Sequence, residues 1–242
     1  MEDQFKKISK MIDHSLLSPI LTVPELEAGC QLALAYDVAS VCIMPFYLKR
    51  CAEILEHSTV HPSTTIGFPH GGHTLIMKQR EAEQAIEDGF EENPEGEITE
   101  EELDMVVNLS RVLSGDWKYV ENEIGAITRV AHQAGQKIKV IFENCYLTND
   151  QKIELCRICA GLGVDWVKTS TGYGTGGATL DDLKLMREHS PDRVQIKAAG
   201  GIRTLDQLLE VRDLGVSRVG ASATRVILDT CRTRLKLPAI SI

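Results

Sequence analysis

The sequence predicts an α/β fold, a single (β/α)8 TIM barrel over residues 1–242, with an extra N-terminal helical segment and an acidic insertion before strand 4. Three observations carry this. Short apolar and β-branched runs alternate with amphipathic helical runs along nearly the whole chain, eight of each. Such alternation builds a parallel sheet with helices on its face. The 242 residues are a length that one barrel of this kind uses whole.

The predicted strands cover residues 11–17 (MIDHSLL), 40–44 (SVCIM), 63–68 (STTIGF), 102–108 (ELDMVVN), 137–144 (KIKVIFEN), 165–171 (DWVKTST), 194–200 (VQIKAAG) and 217–222 (SRVGAS). Helical periodicity fills 23–36, 45–56, 74–89, 116–134, 149–161, 179–189, 205–214 and 223–234. Thr148, Thr179 and Thr204 precede helices as N-caps, and Gly135, Gly163 and Gly215 follow them where a left-handed residue is wanted. One connection breaks the pattern. From Glu91 to Glu102 seven of twelve residues are glutamate, and a like-charge run of this kind is expected as a solvated loop on the N-terminal face of the barrel.

Composition excludes several partners. A formal net charge of -9 and a pI near 5.3 argue against a nucleic-acid or acidic-membrane surface. The opening MEDQFKKISK holds no signal-type apolar stretch, and no apolar run has membrane-spanning length, so a cytoplasmic location is expected. Seven scattered cysteines suit reduced thiols. Cys156 and Cys159 form a CxxC on a helical stripe, read as core rather than as a zinc or redox pair.

In such barrels the loops after the strand C-termini build the active site. Three ionisable residues stand near those ends: Asp104, Lys168 and Lys197. A second ammonium about 4 Å from a lysine, at an effective dielectric near 20, costs about 4 kcal/mol, or roughly three pKa units. Lys168 would then carry a free amine near neutrality and form Schiff bases with aldehydes, Asp104 would move protons as base and acid, and Lys197 would assist. The competing reading pairs both lysines structurally with carboxylates. Glycine-bearing loops follow the last three strands and supply Gly172, Gly174, Gly200, Gly201 and Gly220, with hydroxyls from Thr171 and Ser222. Backbone N–H groups there can hold a phosphate without net basic charge.

Across IDHSLL, VCIMP, IGFP, ELDMVVN, VKTSTGYGTGGAT, KAAGGIRT and RVGASA, in order and covering most of the chain, the sequence resembles the 2-deoxyribose-5-phosphate aldolase family of class I aldolases. The resemblance implies reversible cleavage of 2-deoxy-D-ribose 5-phosphate to D-glyceraldehyde 3-phosphate and acetaldehyde, with no metal or organic cofactor. By motif it makes Lys168 the Schiff-base lysine, Asp104 the proton donor and acceptor, and Lys197 the second lysine. Asp13 and Cys42 would line the pocket, while Thr171, Gly172, Gly200, Gly201, Gly220 and Ser222 would hold substrate. It also implies small-molecule partners, a sugar phosphate and an aldehyde, and a homodimer. The acidic run, Met44 and Tyr173 depart from the family pattern. Two other readings compete: a metal-dependent aldolase built on His70 and His73 with Glu143 or Cys145, and a non-catalytic sugar-phosphate-binding barrel. A nucleophilic Cys42 lacks an activating histidine in sequence, so a packed thiol is expected.

Overall fold

The computed structural model describes residues 1–89 and 102–241. Its strands are β1 (Ile12–Leu16), β2 (Ser40–Ile43), β3 (His61–Ile66), β4 (Glu102–Val106), β5 (Lys137–Ile141), β6 (Trp166–Lys168), β7 (Gln195–Ala199) and β8 (Arg218–Ala221). Each pairs in parallel with its sequence neighbours, and β8 returns to β1, which closes the barrel. Helices α1 (Glu2–Ser9), α2 (Val23–Ala35), α3 (Leu48–Leu55), α4 (Leu75–Gly89), α5 (Leu109–Leu113), α6 (Trp117–Gln133), α7 (Asn149–Leu162), α8 (Leu180–Glu188), α9 (Leu205–Asp213) and α10 (Thr224–Arg234) complete the described elements.

Side chains alternate across each strand, and the two sets go to different places. One set, including Ile12, Val41, Leu103, Val140, Val167, Ile196 and Val219, joins helix residues such as Leu26, Ile124, Leu155, Leu208 and Ile227 in a continuous apolar core. That layer between sheet and helices is the hydrophobic drive for the fold, at roughly 1.5–3 kcal/mol for each fully buried aliphatic side chain. The alternate set is buried and polar: Asp13, Ser40, Ser63, Thr65, Glu102, Asp104, Lys139, Lys168 and Lys197. The barrel interior is therefore a charged cluster rather than stacked aliphatic layers.

The capping signals hold. Thr148, Thr179 and Thr204 accept the N–H of Gln151, Asp182 and Gln207, and Gly135, Gly163 and Gly215 take φ of 75°, 74° and 87°. Element ends differ from expectation where loops begin. β6 stops at Lys168 rather than 171: Thr169 still donates to the Lys197 carbonyl, and Gly172 at φ 89° then turns the chain away. A 3-10 turn, Pro45–Tyr47, stands in front of α3, where a full helix was expected. The unexpected α5 is N-capped by Asn108, whose side chain accepts the Arg111 N–H. The N-terminal helix packs Phe5 and Ile8 inward, with the Arg232 guanidinium 4.7 Å from the Phe5 ring centre. The acidic run, apart from Glu102, lies outside the described residues. Among those described, no helix is long and apolar enough to cross a membrane.

Candidate active site

β6 and β7 place Lys168 and Lys197 as direct register partners facing the barrel interior. β4 supplies Asp104, whose Oδ2 accepts a hydrogen bond from Lys168 Nζ at 2.6 Å and from Lys197 Nζ at 2.7 Å. Lys197 also reaches Asp13 Oδ2 at 2.6 Å. All four side chains are 3% exposed or less, so their charges interact through protein rather than bulk water.

The electrostatics separate the two lysines. Burial lowers the pKa of Lys168; the Asp104 carboxylate opposes this, and the Lys197 ammonium adds to the lowering. Desolvation, rather than the neighbouring ammonium the sequence pointed to, is thus the leading cause. Burial also works against a charged Lys197, but Asp104 and Asp13 outweigh it and raise its pKa. Asp104 is held well below the usual carboxylate range: burial would raise it, and Lys139, Lys168 and Lys197 overcome that. Asp13 is depressed likewise, against burial, chiefly by Lys197 and Lys139. The resting site therefore offers an amine with a weakened hold on its proton, a fixed ammonium, and a carboxylate that stays ionised and accepts hydrogen bonds from both lysines.

Above this cluster opens a pocket of about 280 Å³. It is lined by Asp13, Cys42, Lys168, Lys197 and by Thr171, Gly172, Gly200, Gly201, Gly220 and Ser222, while Asp104 lies beneath as the shared acceptor. Gly172, Gly200 and Gly201 adopt φ of 89°, 83° and 91°, where a side chain is strained. Gly220 is needed for another reason: a Cβ there would stand 3.4 Å from Lys197 Cε and 3.3 Å from the Ala199 Cβ. Ser222 is exposed and lines the pocket just ahead of α10, whose N-cap Ala223 supplies no side-chain cap.

Thr171 differs from expectation. Its hydroxyl donates to Glu143 and its N–H also meets that carboxylate at 3.2 Å, while its Oγ1 accepts the Tyr173 N–H at 3.0 Å. The hydroxyl therefore braces the loop through Glu143, a buried residue in left-handed conformation at φ 54°. Glu143 is thus committed to Thr171, and His73 Nδ1 sits 3.7 Å from Glu81. Among the described residues no group of three or more His, Cys, Asp or Glu side chains has metal-holding geometry. Cys42 is a packed thiol 4.0 Å from Asp104 Oδ2, its pKa raised by burial and by Asp104. Cys156 and Cys159 are buried in the core.

Sequence reasoning missed several residues. Ser15, Leu17, Ser18, Ile202 and Arg203 also line the pocket. Tyr173 spans its mouth, donating to the Leu17 carbonyl at 2.8 Å with its ring edge-on to Phe68 at 5.6 Å. Below the pocket, Lys139 pairs with Glu102 and lies 3.1 Å from Asp104 Oδ1, and Arg218 bridges Asp13 and Glu102 at 2.8 Å each. Their signal was available in strand alternation: Glu102 stands two residues before Asp104, and Lys139 is flanked by outward-facing Ile138 and Val140.

The family model for DeoC/LacD family aldolases matches residues 7–228. A deoxyribose-phosphate aldolase of Rhodopirellula baltica is 63% identical over 239 residues, 99% of this chain and 95% of its own. One from Thermococcus gammatolerans is 40% identical, covering 93% and 96%. The structure is also similar to the deoxyribose phosphate aldolase of Aeropyrum pernix, described as a unique tetramer, with a TM-score of 0.83, 26% identity and 95% and 93% coverage.

Proposed function

The chain belongs to the DeoC/LacD family of aldolases, and from that premise we propose that it reversibly cleaves 2-deoxy-D-ribose 5-phosphate to D-glyceraldehyde 3-phosphate and acetaldehyde through a Schiff base on Lys168. The observation that carries this reading is the buried amine of Lys168 at the pocket floor, in hydrogen-bond reach of a proton acceptor that it shares with a second, fixed cation.

The unprotonated Nζ of Lys168 adds to the C1 aldehyde of the open-chain sugar. Loss of water gives the iminium, with Lys197 supplying and Asp104 accepting protons, directly or through water. A base removes the C3 hydroxyl proton, the C2–C3 bond breaks, and its electron pair flows into the iminium to leave an enamine on Lys168. Glyceraldehyde 3-phosphate departs. Protonation at C2 and hydrolysis of the iminium release acetaldehyde and restore the amine. The iminium formed on Lys168 is the electron sink, so no cofactor is assigned. The sugar's phosphate is read into the amide cradle of Gly172, Gly200, Gly201 and Gly220 with Ser222.

We read the protein as one catalytic domain over residues 1–242, working in the cytoplasm as a homodimer. The Aeropyrum relative is tetrameric, and sedimentation velocity distinguishes the two assemblies. The decisive chemical test is incubation with acetaldehyde and cyanoborohydride followed by peptide mass mapping. An ethyl adduct confined to Lys168 is expected; substrate binding without any adduct there favours a non-catalytic binder.

A further inference from the structure

We propose that the complete set of buried charges inside the barrel, including Lys139, Glu102 and Arg218 below the pocket, keeps Lys168 as a free amine by leaving one cation too many for the carboxylates present. The inference rests on the reading of Lys168 as the nucleophile and assigns Lys139, Glu102 and Arg218 as residues that position a proton rather than touch substrate.

The groups facing Lys168 can be taken element by element. β1 contributes Asp13, β2 the Cys42 thiol, β3 the hydroxyls of Ser63 and Thr65 with the half-buried His61 two residues before Ser63 on the same face, and β4 contributes Glu102 and Asp104. β5 contributes Lys139, β7 Lys197 and β8 Arg218; beyond the strands stand Glu143, engaged by Thr171, and the exposed Arg203. Four basic side chains, Lys139, Lys168, Lys197 and Arg218, thus share three carboxylates, Asp13, Glu102 and Asp104. Fully ionised, the cluster carries a net positive charge in a poorly solvated space, which is costly. Loss of one proton balances it.

Geometry selects which cation yields. Lys139 lies within 3.5 Å of all three carboxylates. Lys197 holds Asp13 and Asp104, and Arg218 holds Asp13 and Glu102. Lys168 holds only Asp104, and that oxygen is already taken by Lys197. It is the cation with the least compensation and, with Lys197, one of the two that line the pocket. The directions agree. Burial works against charge on all four, yet the carboxylates lift Lys139, Lys197 and Arg218 above their ordinary values, and only Lys168 ends below its own.

Opposite charge changes at residues remote from substrate should then move the same proton in opposite directions. In Lys139→Met the cluster balances with Lys168 protonated, so the acid limb of kcat/KM against pH shifts alkaline by about one pH unit or more. Glu102→Gln removes a carboxylate and shifts it to lower pH. Arg218→Met repeats the first change from the other edge and serves if Lys139→Met fails to fold, with circular dichroism as the check. Lys168 trapping by acetaldehyde and cyanoborohydride, followed across the same pH range, must move with the profiles. Opposed shifts support the inference. Trapping at Lys168 with unmoved limbs, or limbs that all move one way, overturns it while leaving the Schiff-base reading intact. Absence of the Lys168 adduct in the unaltered protein overturns both.

Discussion

Replacing Lys197 with methionine removes the ammonium nearest the nucleophile and keeps much of its volume. Both amines hydrogen-bond Asp104 Oδ2, at 2.6 Å and 2.7 Å, so their separation cannot exceed those two legs combined, about 5.3 Å. At an effective dielectric of 20, two unit charges at that distance repel by about 3 kcal/mol, equivalent to about two pKa units. Because 5.3 Å is the upper limit on the distance, this is the lower limit on the repulsion at that dielectric. Without Lys197, Asp104 Oδ2 turns wholly to Lys168, which pushes its pKa the same way. The expected result is an alkaline displacement of the acid limb of kcat/KM by about two pH units, with part of the lost activity recovered at high pH. Loss of the proton carrier also lowers the plateau. An acid limb at its original pH, whatever the plateau, would refute the electrostatic role given to Lys197.

Other outcomes follow from separate features. His14 is buried with its pKa lowered to about 4, mainly by burial. The folded state keeps it neutral while the unfolded chain protonates near 6.5, so its contribution is whole above that pH and is lost as pH falls toward 4; the loss is about 3 kcal/mol. Urea melts between pH 7 and 4 should show it, and His14→Gln should flatten the slope. A Cβ on Gly177 would stand 2.3 Å from the Gly200 carbonyl oxygen, so Gly177→Ala should raise KM for the phosphorylated sugar while leaving Lys168 trapping by acetaldehyde near normal. Lys78 is fully buried, paired with Glu123 at 2.8 Å and bonded to the Val106 carbonyl at the end of β4. Lys78→Met strands Glu123 and should cost about 3–5 kcal/mol, much of it recovered in Lys78→Met/Glu123→Leu, as thermal melts would report.

The barrel was legible because its apolar residues obey two periods, one for strands and one for helices, and because threonine caps and left-handed glycines punctuate them. Lys168 was legible as a charge at the end of an apolar strand, and Asp104 and Lys197, which stand at the middle of β4 and β7, as charges set within apolar strand runs. Lys139, Glu102 and Arg218 were harder. Alternation gives the inward face of Glu102 and Lys139, but their partners are remote in the chain: Arg218 and Glu102 are separated by 116 positions. The sequence also misjudged the leading cause of the Lys168 shift, since burial depends on how completely the barrel closes over a side chain. Thr171 lines the pocket, but nothing local in the sequence shows that Glu143 will claim its hydroxyl.

The pocket's glycine-lined end has a consequence for how such a site is mapped. Functional residues are usually found by deleting side chains, and alanine substitution does little else. Where binding depends on peptide N–H groups, little is available to delete. The informative changes there add atoms: a methyl at Gly172, Gly200 or Gly201 forces an unfavourable φ, and one at Gly177 collides with a neighbouring backbone. A conventional alanine scan that skips glycines would record Lys168 and its charged neighbours and pass over the other half of the pocket.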